Sequence, residues 1–145
     1  MKVVDEVKVG DVMVREVKTL PIDANVVTAA KFMREYDIGS ILITKEGRLK
    51  GILTETDIVR KVVAQGIDPS RVEVGDVMST PLITIGPDAS LKEAAEMMRD
   101  RHIKKLPVVN EHRRLLGIIT QSDIVKNYPS IIDLIEGTVE AGLEQ

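Results

Sequence analysis

Two short stretches carry the residue types that could do chemistry. Gly51-Ile52-Leu53-Thr54-Glu55-Thr56-Asp57 and Gly117-Ile118-Ile119-Thr120-Gln121-Ser122-Asp123 share the pattern Gly-x-x-Thr-x-[Thr/Ser]-Asp. A threonine hydroxyl both donates and accepts, whereas an ionised carboxylate only accepts. Held at a strand-to-helix corner, the two groups could grip neighbouring hydroxyls such as a ribose cis-diol. The same spacing also suits a plainer task. Threonine at an N-cap with aspartate at N3 satisfies the exposed amides and the positive dipole end of a helix. The two readings are compatible, because the cap itself fixes the side chains.

Other chemistries find little support. The chain has no cysteine, which removes disulfides, thiolate zinc sites and thiol nucleophiles. His102 and His112 are the only histidines, they fall on different predicted elements, and no carboxylates stand at ligand spacing, so no metal site is expected. Ser79, Thr80 and Ser122 lack a base to activate them. Duplication explains Asp57 and Asp123 better than acid–base chemistry does. The expectation is a protein that is not an enzyme and requires no cofactor. A formal charge of -3 gives no cationic footprint for nucleic acid, and 2% aromatics give no stacking platform. The basic segment holding Arg101, His102, Lys104, Lys105, Arg113 and Arg114 is either solvated surface or a phosphate contact. Met1-Lys2-Val3-Val4-Asp5 is not a signal peptide, and no run nears the ~20 apolar residues of a membrane span, so a cytoplasmic location is expected.

The elements that must position these corners come in duplicate. Val9-Gly10-Asp11-Val12-Met13 returns as Val74-Gly75-Asp76-Val77-Met78, and one residue inserted near His112 shifts the later matches. A duplicated unit makes similar surfaces twice. After the opening segment comes a short extended stretch, Val17 to Leu20 or Leu82 to Ile85. Next comes an amphipathic helix, with Val26, Ala29, Ala30 and Met33, or Leu91, Ala94, Ala95 and Met98, on one face. Ser90 and Glu93 have the spacing of a capping box. Two apolar strands follow, 41–44 and 51–54 joined at Glu46-Gly47-Arg48, then 106–109 and 117–120. A closing helix runs from Thr54 to Gly66. Met33, Met97 and Met98 are expected in the core. The divisions are residues 7–66, a linker at 67–73, residues 74–127, and a helical tail over 128–145. Apolar faces on the closing helices and tail, including Ile58, Val62, Ile124, Ile131 and Leu134, favour a homodimer, with burial within one chain the alternative.

The duplicated unit resembles a cystathionine-beta-synthase (CBS) domain, and the chain resembles a tandem CBS pair. The carrying residues are the two Val-Gly-Asp-Val-Met openings, Arg101-His102-Ile103-Lys104-Lys105-Leu106-Pro107-Val108-Val109, and Gly117 to Val125; the resemblance spans residues 7 to 127. It implies an α/β fold of strand-helix-strand-strand-helix units, with two small three-stranded sheets packed with pseudo-twofold symmetry. It also implies a regulatory sensor that binds an adenosine-containing ligand (AMP, ADP, ATP or S-adenosylmethionine) in clefts between the units and relays occupancy to a separate effector protein. Thr54, Asp57, Thr120 and Asp123 would hold ribose. Backbone at Lys18 and Ile83 would read the adenine edge. Ile38 and Leu42, then Ile103 and Pro107, would sandwich the ring, with Met13 and Met78 nearby. Lys104 and Lys105 would meet phosphates. The first repeat has Gly39-Ser40 and Ile41-Leu42 where the second has Lys104-Lys105 and Leu106-Pro107, so unequal sites with one dominant ligand per chain are expected. The same divergence leaves open a ligand-free dimeric scaffold with vestigial clefts.

Overall fold

The computed structural model describes residues 7–80 and 82–131. In chain order these form α1 (Val9–Val12), β1 (Thr19–Pro21), α2 (Val26–Tyr36), β2 (Ser40–Lys45), β3 (Arg48–Thr54) and α3 (Glu55–Ile58), which continues as a π-helical turn over Val59–Val63. After a 3-10 turn at Pro69–Arg71 come α4 (Val74–Val77), α5 (Leu91–Arg101), β4 (Lys105–Val109), β5 (Leu115–Thr120) and α6 (Gln121–Asn127). A 3-10 turn at Pro129–Ile131 closes the described chain; the expected tail helix, with Leu134, falls outside the described residues. The result is an α/β fold built on two small sheets.

The chain divides in space into two compact units. One lies within Lys18–Leu82 and is called the Asp57 unit; the other joins residues 7–17 to residues 83–131 and is called the Asp123 unit. The units therefore do not coincide with the sequence repeats. Each takes its opening Val-Gly-Asp-Val-Met segment from the other repeat.

In the Asp57 unit the sheet order is β1-β2-β3, with β1 parallel to β2 and β2 antiparallel to β3. The hairpin closes on Glu46 and Gly47, both at positive φ (53° and 80°), the backbone sense that matches the twist of paired strands. Asn25 caps α2 by accepting the Val27 amide at 2.8 Å. The helix then lays Val26, Ala29 and Met33 on Ile41, Ile43 and Leu53 in one buried cluster. Leu42 is also buried but stands outside that cluster, as the period of two along a strand requires.

The Asp123 unit repeats this plan with one strand curtailed. Its β4-β5 ladder is antiparallel, and the third strand expected over 82–85 shrinks to a single parallel bridge from Ile85 to Val108. Pro107 accounts for the loss. Ile85 donates to the Pro107 carbonyl and accepts from Val109; the next donor back along β4 would be residue 107, which has no N–H. The expected capping box is formed: Glu93 N–H reaches Ser90 Oγ and Ser90 N–H reaches Glu93 Oε1, both at 3.0 Å. Leu91, Ala94, Ala95 and Met98 of α5 then bury against Leu106, Val108 and Ile119.

Each opening segment completes the edge of its unit's sheet. Ser79 bridges Ile52 beside β3, and Val14 bridges Ile118 beside β5. Glycine is needed where these segments cross. A methyl group on Gly51 would stand 2.9 Å from the Ser79 carbonyl oxygen, and one on Gly117 would stand 2.6 Å from that of Val14.

The closing helices decide between two expectations. Val62 and Ile124, offered either as a dimer face or as buried within the chain, are fully buried, and Ile58 is half-buried. Ile58 and Val62, four residues apart, share the inward face of this helix. Val59, Val63 and Ile67 carry the exposed apolar surface instead.

Candidate functional site

Both threonine–aspartate motifs fall at a strand-to-helix corner, where β3 meets α3 and β5 meets α6. At the first corner Asp57 N–H donates to Thr54 Oγ1 and Thr54 N–H donates to Asp57 Oδ2, each at 3.0 Å. At the second, Asp123 N–H donates to Thr120 Oγ1 at 3.1 Å. The capping role is therefore present at both corners.

Beyond the cap the two carboxylates differ. Asp57 is only 6% exposed. Its Oδ1 accepts the Ser79 hydroxyl at 2.9 Å and faces the Lys61 ammonium at 3.1 Å. Lys61 also donates to the Val77 carbonyl at 3.0 Å, at the C-terminal end of α4 where a cation is favoured. Burial pushes the Asp57 carboxyl up, but donation from Thr54, Ser79 and Lys61 outweighs it and leaves the group below the ordinary carboxylate value. Three of its roughly four acceptor positions are taken. Asp123 is half-buried, and among the described residues no donor or cation meets its carboxylate.

The cause is legible residue by residue. Asn127 follows Asp123 by the same four residues that separate Lys61 from Asp57, and its amide turns back to the Asp123 backbone carbonyl at 2.7 Å. Val14 bridges Ile118 as Ser79 bridges Ile52, and it brings no hydroxyl. Sequence reasoning missed both Lys61 and Ser79. The i, i+4 spacing of Asp57 and Lys61 on a helix was an available signal. Ser79 gave none, because its approach depends on a long-range sheet edge.

The remaining candidates scatter between the units. The Asp57 unit holds Lys18, Ile38, Leu42 and Met78; the Asp123 unit holds Met13, Ile83, Ile103, Pro107, Lys104 and Lys105. The Lys18 ammonium sits over the Tyr36 ring, 4.6 Å from its centroid. Ile83 and Ile103 are half-buried, whereas Pro107 is buried outside the helix-facing cluster, like Leu42. Lys105 lies opposite Thr120 in the β4-β5 register. Lys104 instead lines a groove of about 470 Å³ with Gln121, Ser122, Val125 and Lys126. The repeat-related groove of the Asp57 unit, about 550 Å³, has Gly39 and Glu55 in place of Lys104 and Gln121. Among the described residues no three histidine, aspartate or glutamate side chains gather as metal ligands, and no helix is long and apolar enough to cross a membrane.

Comparison with known proteins agrees with this geometry. The CBS domain profile matches residues 9–64 and 74–130. The uncharacterised protein MK0525 of Methanopyrus kandleri is 41% identical over 131 residues, covering 90% of this chain and 67% of that protein. Hypoxic Response Protein I, whose crystal structure has two coordinated zinc ions, aligns with a TM-score of 0.73 at 33% identity, over 83% of this chain and 98% of its own. The CBS domain pair of protein MJ0100, solved in complex with 5′-methylthioadenosine and S-adenosyl-L-methionine, aligns with a TM-score of 0.67 at 29% identity, over 85% of this chain and 96% of its own. With two profile matches that cover most of its length and fall on both capped corners, the chain belongs to the CBS domain family.

Proposed function

We propose that the chain is a non-enzymatic sensor of an adenosine-containing ligand, held at the Thr120–Asp123 corner. The observation that carries this reading is the half-buried Asp123 carboxylate, whose backbone amide caps on Thr120 while no donor among the described residues meets its oxygens. A carboxylate of that kind accepts two hydroxyl hydrogens from a ribose without first losing a donor of its own. The curtailed third strand adds a second feature, since Pro107 leaves backbone near Ile83 outside the ladder and available to an adenine edge. Ile103 and Pro107 would flank the ring, and Lys105, opposite Thr120, would meet a phosphate or other anionic group. The MJ0100 complex supports the ligand class.

Sensing follows from linkage. A ligand that binds one arrangement of the chain more tightly raises its population, and a separate effector protein reads the shift. The expected assembly is a homodimer, with Val59, Val63 and Ile67 the exposed apolar side chains available for it. A thermal-shift series with 5′-methylthioadenosine, S-adenosylmethionine, AMP and ATP tests the proposal. A ligand at 100 times its Kd adds about 2.7 kcal/mol. An unmoved transition with all four would refute the sensor. A second reading, a ligand-free dimeric scaffold, draws on the closed Asp57 corner; a dimer whose stability ignores every adenosyl compound would favour it.

A further inference from the structure

We infer that Lys61 and Ser79 are specificity-determining residues that lock the Asp57 corner against the ligand, so that the chain carries one open site and one closed copy of it. The inference rests on the ribose-binding role proposed for Asp123, and it assigns a role to two residues outside the family motif.

Both corners share the threonine cap, the aspartate at the third helical position and the preceding glycine strand. They differ in the groups that meet the carboxylate. Lys61 Nζ at 3.1 Å and Ser79 Oγ at 2.9 Å converge on the same oxygen, Asp57 Oδ1, while the Thr54 amide holds Oδ2 at 3.0 Å. A cis-diol can reach that carboxylate only by displacing an ammonium or a hydroxyl already in place. Lys61 is not free to swing away without loss, because it also bonds the Val77 carbonyl at 3.0 Å. The lock thus ties α3 to the C-terminal end of α4. The Asp57 carboxylate is nearly sealed from solvent, whereas Asp123 is not.

Two residues set the difference. Asn127 cannot supply a cation, and its amide is engaged by the Asp123 carbonyl at 2.7 Å. Val14 occupies the bridge position of Ser79 and has no side-chain donor. Exchange of these residues should therefore move the lock from one corner to the other. The flexible side chain of Lys61, with 45% of its surface in solvent, makes its removal compatible with folding.

Isothermal titration of the full chain with 5′-methylthioadenosine tests this directly. The wild type should take one equivalent. A Lys61→Asn/Ser79→Val variant should take two, and Asp57→Ala added to that variant should return it to one. The reciprocal Asn127→Lys/Val14→Ser variant should lose binding at least tenfold while gaining thermal stability, which separates a closed site from a damaged fold. One equivalent in both the wild type and the unlocked variant would overturn the lock and leave the ribose assignment intact. No heat from any of the proteins would overturn both.

Discussion

Replacing Asp57 by alanine removes a carboxylate that three donors use, and the structure fixes how much should be lost. The Thr54 amide loses its acceptor, which at an N-cap amounts to about 1 kcal/mol within a range of roughly 0.5–2. The Ser79 hydroxyl loses a charge-assisted bond of the kind that contributes roughly 1.5–3 kcal/mol. Lys61 adds little, because its half-exposed ammonium recovers water, and exposed pairs contribute only about 0–1 kcal/mol. The total is about 2–5 kcal/mol. Asp123→Ala removes only a carboxylate near a helix N-terminus, a loss of about 0.3–1 kcal/mol. Urea unfolding of both variants at neutral pH, with the slope checked for constancy, reads the difference as separate midpoints. Melting temperatures should diverge in step, at roughly 2–4 °C per kcal/mol for a chain of this size. Equal losses at the two corners, within about 0.5 kcal/mol, would refute the contrast between a partnered and an unpartnered carboxylate.

Further outcomes are expected from the same contacts. Because the folded Asp57 carboxyl lies below its unfolded value, its contribution is complete above about pH 4–5 and disappears as pH falls through the folded value. Urea midpoints of the wild type should therefore drop more steeply between pH 5 and pH 3 than those of Asp57→Asn, about 2 pH units of titration sufficing to show it; parallel curves would contradict the assignment. Gly117→Ala places a methyl 2.6 Å from a backbone oxygen that cannot move without breaking the Val14–Ile118 bridge. A loss of about 1–3 kcal/mol is expected in the same unfolding assay, and a neutral effect would show that the opening segment is loosely held.

Much of this architecture is written locally in the chain. The capping boxes at Ser90 and Thr54 use only neighbours three residues apart, and the stripe of Leu91, Ala94, Ala95 and Met98 needs only helical periodicity. The duplicated motif marks both corners by itself. The part decided by distant pairing escapes a linear reading. Val9–Val12 and Val74–Val77 lead into the sheet edges of units held largely by the opposite repeat, and nothing in five residues says which edge they meet. Ser79 reaches Asp57 through that pairing. Ile58 with Val62 and Val59 with Val63 are both apolar pairs at i, i+4 spacing, and only tertiary packing decides that the first turns inward and the second outward. The curtailed strand before α5 is an intermediate case, since Pro107 is visible in sequence but its missing N–H matters only once Ile85 is known to pair beside it.

The most direct measurement is calorimetric titration of 5′-methylthioadenosine into the wild type, Asp123→Ala and Asp57→Ala. A sensor with one open corner predicts one equivalent for the wild type, a loss of at least tenfold in affinity for Asp123→Ala, and an unchanged first site for Asp57→Ala. Binding that survives Asp123→Ala, or two equal sites in the wild type, would contradict it.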